Sequence, residues 1–424
     1  MSSLVVADNT FERIVQEIPA EVGMLARKLG AFTRSRAIRT PEELLRAVLL
    51  YSGSDLSLRE VAANLTQNGR RLSDEAVRGR LSGCEPWLQA ILSAMMPTLE
   101  DHSSGLLRLK TIDTTTIQAP GAVTTDYRLH FVWDHQENRL HHFLLTDNKI
   151  GENLKLFEWQ VGDLMMADAG YSKAEQLAAV KASGAEYVVR CAPKQIGLYL
   201  PSGERLNVVE KLKESCGRKT TISMSVLIKS KAGLEAAWLH AYRLPAEKAR
   251  EARGRLIKRA QKKYHGKVNK EILYLADWVL LLTSLPPEKV SAEIIGKLYR
   301  GRWQIEIVIK RLKSLLDLDA LRARRGSRLA RVYLLGKLLY SLIIERRTLC
   351  LEKARDVEWR VWKLIAQQVG AVIAFPKQFD PEINNDVLKV LKERPRKRKF
   401  LRKRIAASLK MVNITYFKSS DLQP

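Results

Sequence analysis

Residues 106–113, LLRLKTID, open a run of short segments whose order decides the fold. The stretch is apolar-rich, ends on Asp113 and is followed by the polar Thr114-Thr115-Thr116, so it reads as a strand. Asp126–Asp134 (DYRLHFVWD) alternates as a second strand and Arg139–Asp147 (RLHHFLLTD) as a third, with His135-Gln136-Glu137-Asn138 as a polar turn between them. Glu152–Trp159 reads as a short helix and Asp163–Asp168 (DLMMAD) as a buried strand. Ser172–Ser183 is a helix stopped by Gly184, and Glu186–Cys191 (EYVVRC) is a strand. The resulting order is β-β-β-α-β-α-β.

Downstream, residues 192–285 interrupt this pattern. Ile222–Lys229, Leu234–Arg243 and Asp277–Leu285 (DWVLLLTSL) are strand-like, and Glu247–Lys267 is a strongly basic helical stretch. The region reads as a mainly β insertion carrying one basic helix. Pro286-Pro287 closes it, and a helix begins near Ser291. Tyr299–Leu316, YRGRWQIEIVIKRLKSLL, then has helical periodicity. Ile305, Val308, Ile309, Leu312, Leu315 and Leu316 form one apolar face. Tyr299, Arg302, Glu306, Lys310 and Lys313 fall within roughly 80° of one another on its flank. Taken alone, Arg302–Glu306 and Glu306–Lys310 are i,i+4 pairs of the kind that merely solubilise a helix.

Both ends of the chain read as helical. Thr40-Pro41-Glu42-Glu43 and Ser57-Leu58-Arg59-Glu60 are capping boxes, and Ser73 can cap a further helix bearing Arg78 and Arg80. The pair around the Gln67-Asn68-Gly69 break resembles a helix-turn-helix DNA reader, although its connection is long; an ordinary helical bundle is the alternative. Leu329–Glu352, Glu358–Phe375 and Asn384–Leu391 are helical, and Arg394–Arg404 (RPRKRKFLRKR) has eight basic residues in eleven. The 424 residues exceed one simple core, and 72 Lys+Arg against 46 Asp+Glu give +26, a balance that points to a polyanionic partner. No apolar run is long enough to span a membrane, and residues 1–20 lack a signal-peptide pattern. Cys84, Cys191, Cys216 and Cys350 are scattered without CxxC pairing, which fits reduced, mostly buried thiols and no structural zinc.

The strand and helix order is that of the RNase H-like fold, whose catalytic carboxylates come from the first strand, the fourth strand and a later helix. Asp113, Asp168 and Glu306 occupy those places. The spacing Tyr-x2-Arg-x3-Glu-x6-Lys, filled by Tyr299, Arg302, Glu306 and Lys313, resembles the signature of insertion-sequence transposases of the insertion-sequence-four type, in which the Glu completes an Asp-Asp-Glu triad. Asp113-Thr114-Thr115-Thr116 is similar to that family's first-Asp motif and Ala167-Asp168-Ala169-Gly170-Tyr171 to its second. Trp278–Ser284 (WVLLLTS) is similar to the end of its β insertion. The likeness covers about Leu106 to Leu316. The expected architecture is α/β: an RNase H-like mixed-sheet catalytic core in two parts, 105–191 and 286–328. A mainly β insertion (192–285) separates them, with a helical DNA-binding domain (1–104) before and a helical, basic domain (329–424) after, the latter for dimer contact and DNA.

Three acceptor-only carboxylates suit hard divalent cations, so Mg2+ is expected, Mn2+ substituting, with two ions per site about 3.5–4 Å apart. The resemblance implies metal-dependent cleavage at the element's terminal repeats, a hairpin intermediate and strand transfer into target DNA. It also implies a flipped base stacked on Trp278, phosphate held by Tyr299 and Arg302, and end DNA met by Lys313; Lys310, Arg78 and Arg80 are further candidate DNA contacts. A homodimer on paired ends and a cytoplasmic, nucleoid-associated protein are expected. The rivals are an RNase H-like nuclease without strand transfer and a non-catalytic DNA-binding relative. His130, His135, His141 and His142 read as structural, because neighbours 141 and 142 on a strand point to opposite faces. Asp126, Asp134 and Asp147 lie at hairpin edges and read as turn formers.

Overall fold

A single sheet runs through both the expected core and the expected insertion. The computed structural model describes residues 11–66, 71–96, 107–119, 121–216, 220–264, 268–349, 359–375 and 405–413. Its strands are β1 (Arg108–Ile117), β2 (Tyr127–Asp134), β3 (Arg139–Asp147), β4 (Asp163–Ala167), β5 (Glu186–Arg190), β6 (Leu198–Tyr199), β7 (Thr221–Ser230), β8 (Gly233–Arg243) and β9 (Trp278–Thr283). They lie in the order β3-β2-β1-β4-β5-β9-β8-β7-β6. The pairs β1–β4 and β4–β5 are parallel, and the other neighbours are antiparallel. This is the mixed α/β architecture of an RNase H-like core, with strands of residues 192–285 added to its β5 edge.

β1 does not stop at Asp113. It continues through the threonines because β2 offers a full antiparallel partner, Thr114 opposite His130 and Thr116 opposite Arg128. β-Branched threonine suits such a half-buried pleat. Asp113 is thus held in mid-strand rather than at a fraying end. Side chains alternate along β1, so Leu109, Asp113 and Ile117 share one face while Lys110, Ile112 and Thr114 share the other.

The helices fall into two groups. Before the sheet come α1 (Phe11–Gln16), α2 (Val22–Lys28), α3 (Pro41–Ser52), α4 (Leu58–Leu65), α5 (Asp74–Leu81) and α6 (Glu85–Met95). Thr40 caps α3 by accepting from Glu43 N–H at 3.2 Å, and Ser57 with Glu60 forms the full capping box of α4. Within and after the sheet come α7 (Ala174–Ala182), α8 (Val208–Cys216), α9 (Ala246–Tyr264), α10 (Lys270–Leu275), α11 (Ala292–Tyr299), α12 (Trp303–Leu316), α13 (Arg328–Leu349) and α14 (Trp359–Ala374). Residues 405–413 form one more helix, which packs Ile405, Leu409 and Val412 against Leu109, Leu164 and Leu298.

α13 is apolar nearly all round, and a helix of that kind is buried. It packs with α3, α6 and α14, so helices from both ends of the chain share one core, which reaches β1–β3 through Ile305, Ile309 and Leu312 of α12. Two expectations are corrected. Glu152–Trp159 yields only a 3-10 turn, Leu154–Leu156, because Trp159 turns back to donate its indole N–H to the Leu154 carbonyl at 2.9 Å. Tyr299–Leu316 is not one helix: α11 ends on Tyr299, a 3-10 turn spans Arg300–Arg302, and α12 starts at Trp303. Gly301 sits at that break, where an added Cβ would meet Ile405 at 3.2 Å and His135 at 3.5 Å. The basic run Arg394–Arg404 and Asn384–Leu391 lie outside the described residues. Among the described residues no helix is long and apolar enough to cross a membrane.

Candidate active site

The parallel centre of the sheet and α12 set Asp113 and Glu306 on one cation, Arg302, with the charge of Asp168 felt at Asp113. Asp113 faces α12 from mid-β1, and its Oδ1 accepts from the Thr114 backbone N–H at 2.8 Å. Asp168 follows β4 directly and caps the next 3-10 turn, accepting from Gly170 N–H at 2.9 Å. Glu306 lies in the first turn of α12 and is paired with Arg302, while Arg302 Nη1 lies 3.9 Å from Asp113 Oδ2. One guanidinium therefore serves two of the carboxylates. All three groups keep some solvent access, 20% for Asp113 and Arg302 and 32% for Glu306.

Electrostatics tie the third carboxylate to the same place. Burial pushes the Asp113 carboxyl up to about 6, and the charges of Asp168 and Glu306 push the same way, against the Thr114 N–H and Arg302. Burial works against the charge on Arg302, but Tyr299, Glu306 and Asp113 hold it firmly protonated. Tyr299 lies under that guanidinium, 5.9 Å from ring centroid to Cζ, and burial pushes its hydroxyl up to about 12. Among the described residues no three His, Cys, Asp or Glu side chains are drawn close enough to hold a metal ion as placed. The donor set nevertheless suits a hard cation, since the carboxylates oppose one another's charge and two of them, Asp113 and Glu306, already share a cation.

Behind Asp113, on the other face of β1, a closed hydrogen-bond chain fixes the frame. Thr114 Oγ1 meets Tyr171 OH at 2.6 Å and His130 Nδ1 at 2.8 Å, and His130 Nε2 meets Thr146 Oγ1 at 2.9 Å. Tyr171 belongs to the turn that Asp168 caps, so this chain ties the strand of one aspartate to the turn of the other. Burial, with Arg128 nearby, lowers the His130 pKa to about 4, which keeps the ring neutral and able to donate at one nitrogen and accept at the other. Sequence reasoning quoted Thr114 and Tyr171 only as members of the two Asp motifs and gave them and Glu152 no role of their own. Burial and the charge of Asp168 push the Glu152 carboxyl up, and its Oε2 lies against Gly170 where a Cβ would stand. A side chain at residue 170 would displace the Glu152 carboxylate.

The family of transposase DDE domains matches residues 106–342. The chain is also 37% identical over 337 residues to InsL of insertion sequence element IS186A from Escherichia coli (strain K12), covering 77% of this chain and 90% of that protein. It is 37% identical over 338 residues to the transposase for insertion sequence element IS421 from Escherichia coli, with the same coverage. A more distant relative, the transposase for insertion sequence element IS231F from Bacillus thuringiensis subsp. israelensis, is 26% identical over 287 residues, 58% of this chain and 59% of that one. The chain belongs to the DDE transposase family. The insertion-sequence-four type read from Tyr299, Arg302, Glu306 and Lys313 is consistent with these relatives.

Not every predicted residue of this transposase reaches the site. Trp278 is 3% exposed and packed in the core near Tyr274, so its ring has no free face for a base. An exposed aromatic beside the site is Trp303, 57% accessible and one turn before Glu306. Lys310 is exposed, and Lys313 lies 3.6 Å from Asp319. Arg78 is paired with Glu75 at 2.6 Å. Arg80 instead donates to the Arg34 carbonyl at 2.6 Å and lines an open groove of about 900 Å³ with Arg34, Arg36 and Arg71; no acidic side chain lines it. The remaining histidines and aspartates act structurally. His135 bonds Thr111 at 2.7 Å, Asp134 accepts from the Gln136 and Glu137 amides, Asp147 from Lys149, and Asp126 from Ala119 while pairing with Arg325. One correction concerns the neighbouring histidines. β3 bulges at His141, with Val132 opposite His142 and Trp133 opposite Leu140, so both rings line one cavity beside Lys110 and Trp159.

Proposed function

We propose that this DNA transposase cuts the ends of its own element and joins them to target DNA at a site built from Asp113, Asp168 and Glu306. The observation that carries the reading is the shared cation: Arg302 serves Asp113 and Glu306 together, and Asp168 acts on Asp113 from the other side. The three carboxylates are the groups that would hold Mg2+, or Mn2+ in its place, as two ions. When bound, these ions would activate a water or 3′-hydroxyl nucleophile and neutralise the leaving oxygen. Arg302, relieved of its carboxylates, then pairs with a DNA phosphate beside Tyr299. Asp168 and Asp113 stay aimed because the Gly170 and Thr114 amides donate to them and the Thr114–Tyr171 bond ties their elements together.

DNA is held mainly through its backbone. The groove of Arg34, Arg36, Arg71 and Arg80 offers four guanidiniums to phosphates, while Lys310 and Lys313 meet end DNA beside Glu306. Hairpin formation requires a base to leave the stack, and an extruded base needs an exposed aromatic face. Trp303 offers one and Trp278 does not. A homodimer pairs the two ends.

The test is incubation of the full chain with DNA carrying its element's ends, in Mg2+ or EDTA, beside Glu306→Gln. Metal-dependent cleavage with hairpin or strand-transfer products, absent from the variant, is expected. Binding without cleavage in both Mg2+ and Mn2+ would reject the catalytic reading, and cleavage that persists in the variant would place the site elsewhere. Cleavage without joining would leave a nuclease.

A further inference from the structure

Lys337 is a charged group that the chemistry above does not use, and it is fully buried on α13. Its ammonium lies 3.0 Å from Asp55 Oδ2, donates to the Leu316 carbonyl, and stands 4.8 Å from the centroid of the Tyr333 ring. Tyr333 OH donates to Asp55 Oδ1 at 2.5 Å, and Arg322 donates to the Asp55 backbone carbonyl. Desolvating an ammonium is expensive, and an apolar residue would often be as stable in such a place. What the arrangement provides is position.

Three parts of the chain meet here. Leu316 is the last residue of α12, the helix that carries Glu306. Asp55 lies in the loop after α3, two residues before Ser57, the N-cap of α4, and its backbone is left-handed at φ 55. Asp tolerates that region, and here the Tyr333, Lys337 and Arg322 contacts hold it. Beyond α12 the chain turns at Asp317, also left-handed at φ 43, and then pairs with the end of β1. Gln118 N–H donates to Asp319 O at 3.2 Å, and Leu321 N–H to Gln118 O at 3.1 Å. Gln118 is five residues beyond Asp113. The C-terminal end of the Glu306 helix is thus clamped between the strand of Asp113 and the loop that leads into α4 and α5.

We infer that Asp55 and Lys337 form a latch of positioning residues, which sets the Glu306 helix against the Asp113 strand and couples it to the N-terminal helix pair. Its catalytic consequence rests on the triad reading above; its mechanical part does not. Lys337 fills the role of a C-cap cation for α12, satisfying a terminal carbonyl that would otherwise be buried unpaired. Asp55 holds that cation and Tyr333 at once, so a displacement of the α3–α4 loop is passed to α12.

The latch is tested on the full chain with Lys337→Met, Asp55→Asn, Tyr333→Phe and the Asp55→Asn/Lys337→Met double variant. Hydrogen exchange is followed across the molecule, and Mn2+ binding is measured by calorimetry without DNA. The last turn of α12 and the Leu321 amide should exchange about ten-fold faster in each single variant, while β7 and β8 keep the wild-type rate. Mn2+ affinity should fall several-fold, and the double variant should be no worse than the worse single one, because both remove one coupled unit. Unchanged exchange in α12, or acceleration spread evenly over the sheet, would overturn the latch and leave a packing role. Tyr333→Phe removes only a hydroxyl, so it still decides the question if Lys337→Met does not fold. A wild-type chain that binds no Mn2+ would overturn the triad reading alone, since the exchange pattern decides the latch by itself.

Discussion

Lys110 and Asp113 stand three residues apart on β1 and face opposite sides of the sheet, and each lies against a charge of opposite sign. Lys110 Nζ is 2.7 Å from Asp163 Oδ1, and the two side chains are 1% and 0% exposed. Asp113 shares Arg302 with Glu306 at the looser distance of 3.9 Å, and all three reach solvent. The first pair is closed in that both side chains are buried, with Arg108 also 3.4 Å from Asp163. The second is open, so an incoming cation or phosphate can replace one of its members. The difference between a structural and a working ion pair on this strand is solvent access, not charge.

The largest effect should come from the open side. Glu306→Gln keeps the shape of the side chain but removes the charge that pairs with Arg302. Single-turnover cleavage of end DNA should fall by about 10³-fold or more, on the order of 4 kcal/mol of barrier. DNA affinity, measured without metal, should stay within a few-fold of wild type. An equal loss of binding would mean that Glu306 acts through folding and that the two pairs are alike.

On the closed side the expected loss is of stability. Lys110→Met leaves buried Asp163 with only Arg108, 3.4 Å away, as its cation and should cost roughly 3 kcal/mol, read as a lower urea midpoint. Lys110→Met combined with Asp163→Leu should recover most of that, because the desolvated charge is gone from both sides. The same logic fails for Arg302, whose neighbours reach water; Arg302→Met should change the unfolding free energy by less than about 1 kcal/mol and act mainly on cleavage.

The closed elements were the more legible in sequence. Apolar runs and alternation placed the strands of 106–191, because each is buried on at least one face and its pattern records that. Asp113, Asp168 and Glu306 were placed by spacing against the strand order. What escaped depended on contacts far along the chain. β1 runs on through polar threonines because β2 pairs with them, the break before α12 accommodates Ile405 and His135 around Gly301, and the bulge at His141 is set by register with β2. Lys337 reads as one cation among many until Asp55, 282 residues away, is brought to it.

Proton linkage sharpens the contrast at Asp113. Its folded pKa, about 6, lies above the ordinary 3.8, so the folded chain holds this proton more tightly than the unfolded one. The associated stability is fully present below the unfolded value and is lost as pH rises through about 6. At pH 7 the burial of charged Asp113 therefore opposes folding, by an amount on the order of 2 kcal/mol after allowing for its solvent access. Asp113→Asn should raise the melting temperature at pH 7, give little change at pH 4, and abolish cleavage. A variant less stable at pH 7 than wild type would show that Asp113 belongs with the closed pairs. Added Mg2+ should stabilise wild type at pH 7 but not this variant.

The smallest effect separates two tryptophans on the same grounds. Trp278 is covered and Trp303 is open, at 3% and 57% exposure. Trp278→Ala empties a core position and should cost roughly 3–5 kcal/mol of stability. Trp303→Ala should leave the unfolding free energy within about 0.5 kcal/mol of wild type. If Trp303 takes up an extruded base, its loss should weaken hairpin formation by about 1–3 kcal/mol while the first nick proceeds at the wild-type rate. An abasic nucleotide at the flipped position separates stacking from helix damage: it leaves no base for the indole to hold, so Trp303→Ala should then have no further effect on the hairpin step. A defect that persists on abasic DNA would place Trp303 in the support of α12 rather than in contact with the base.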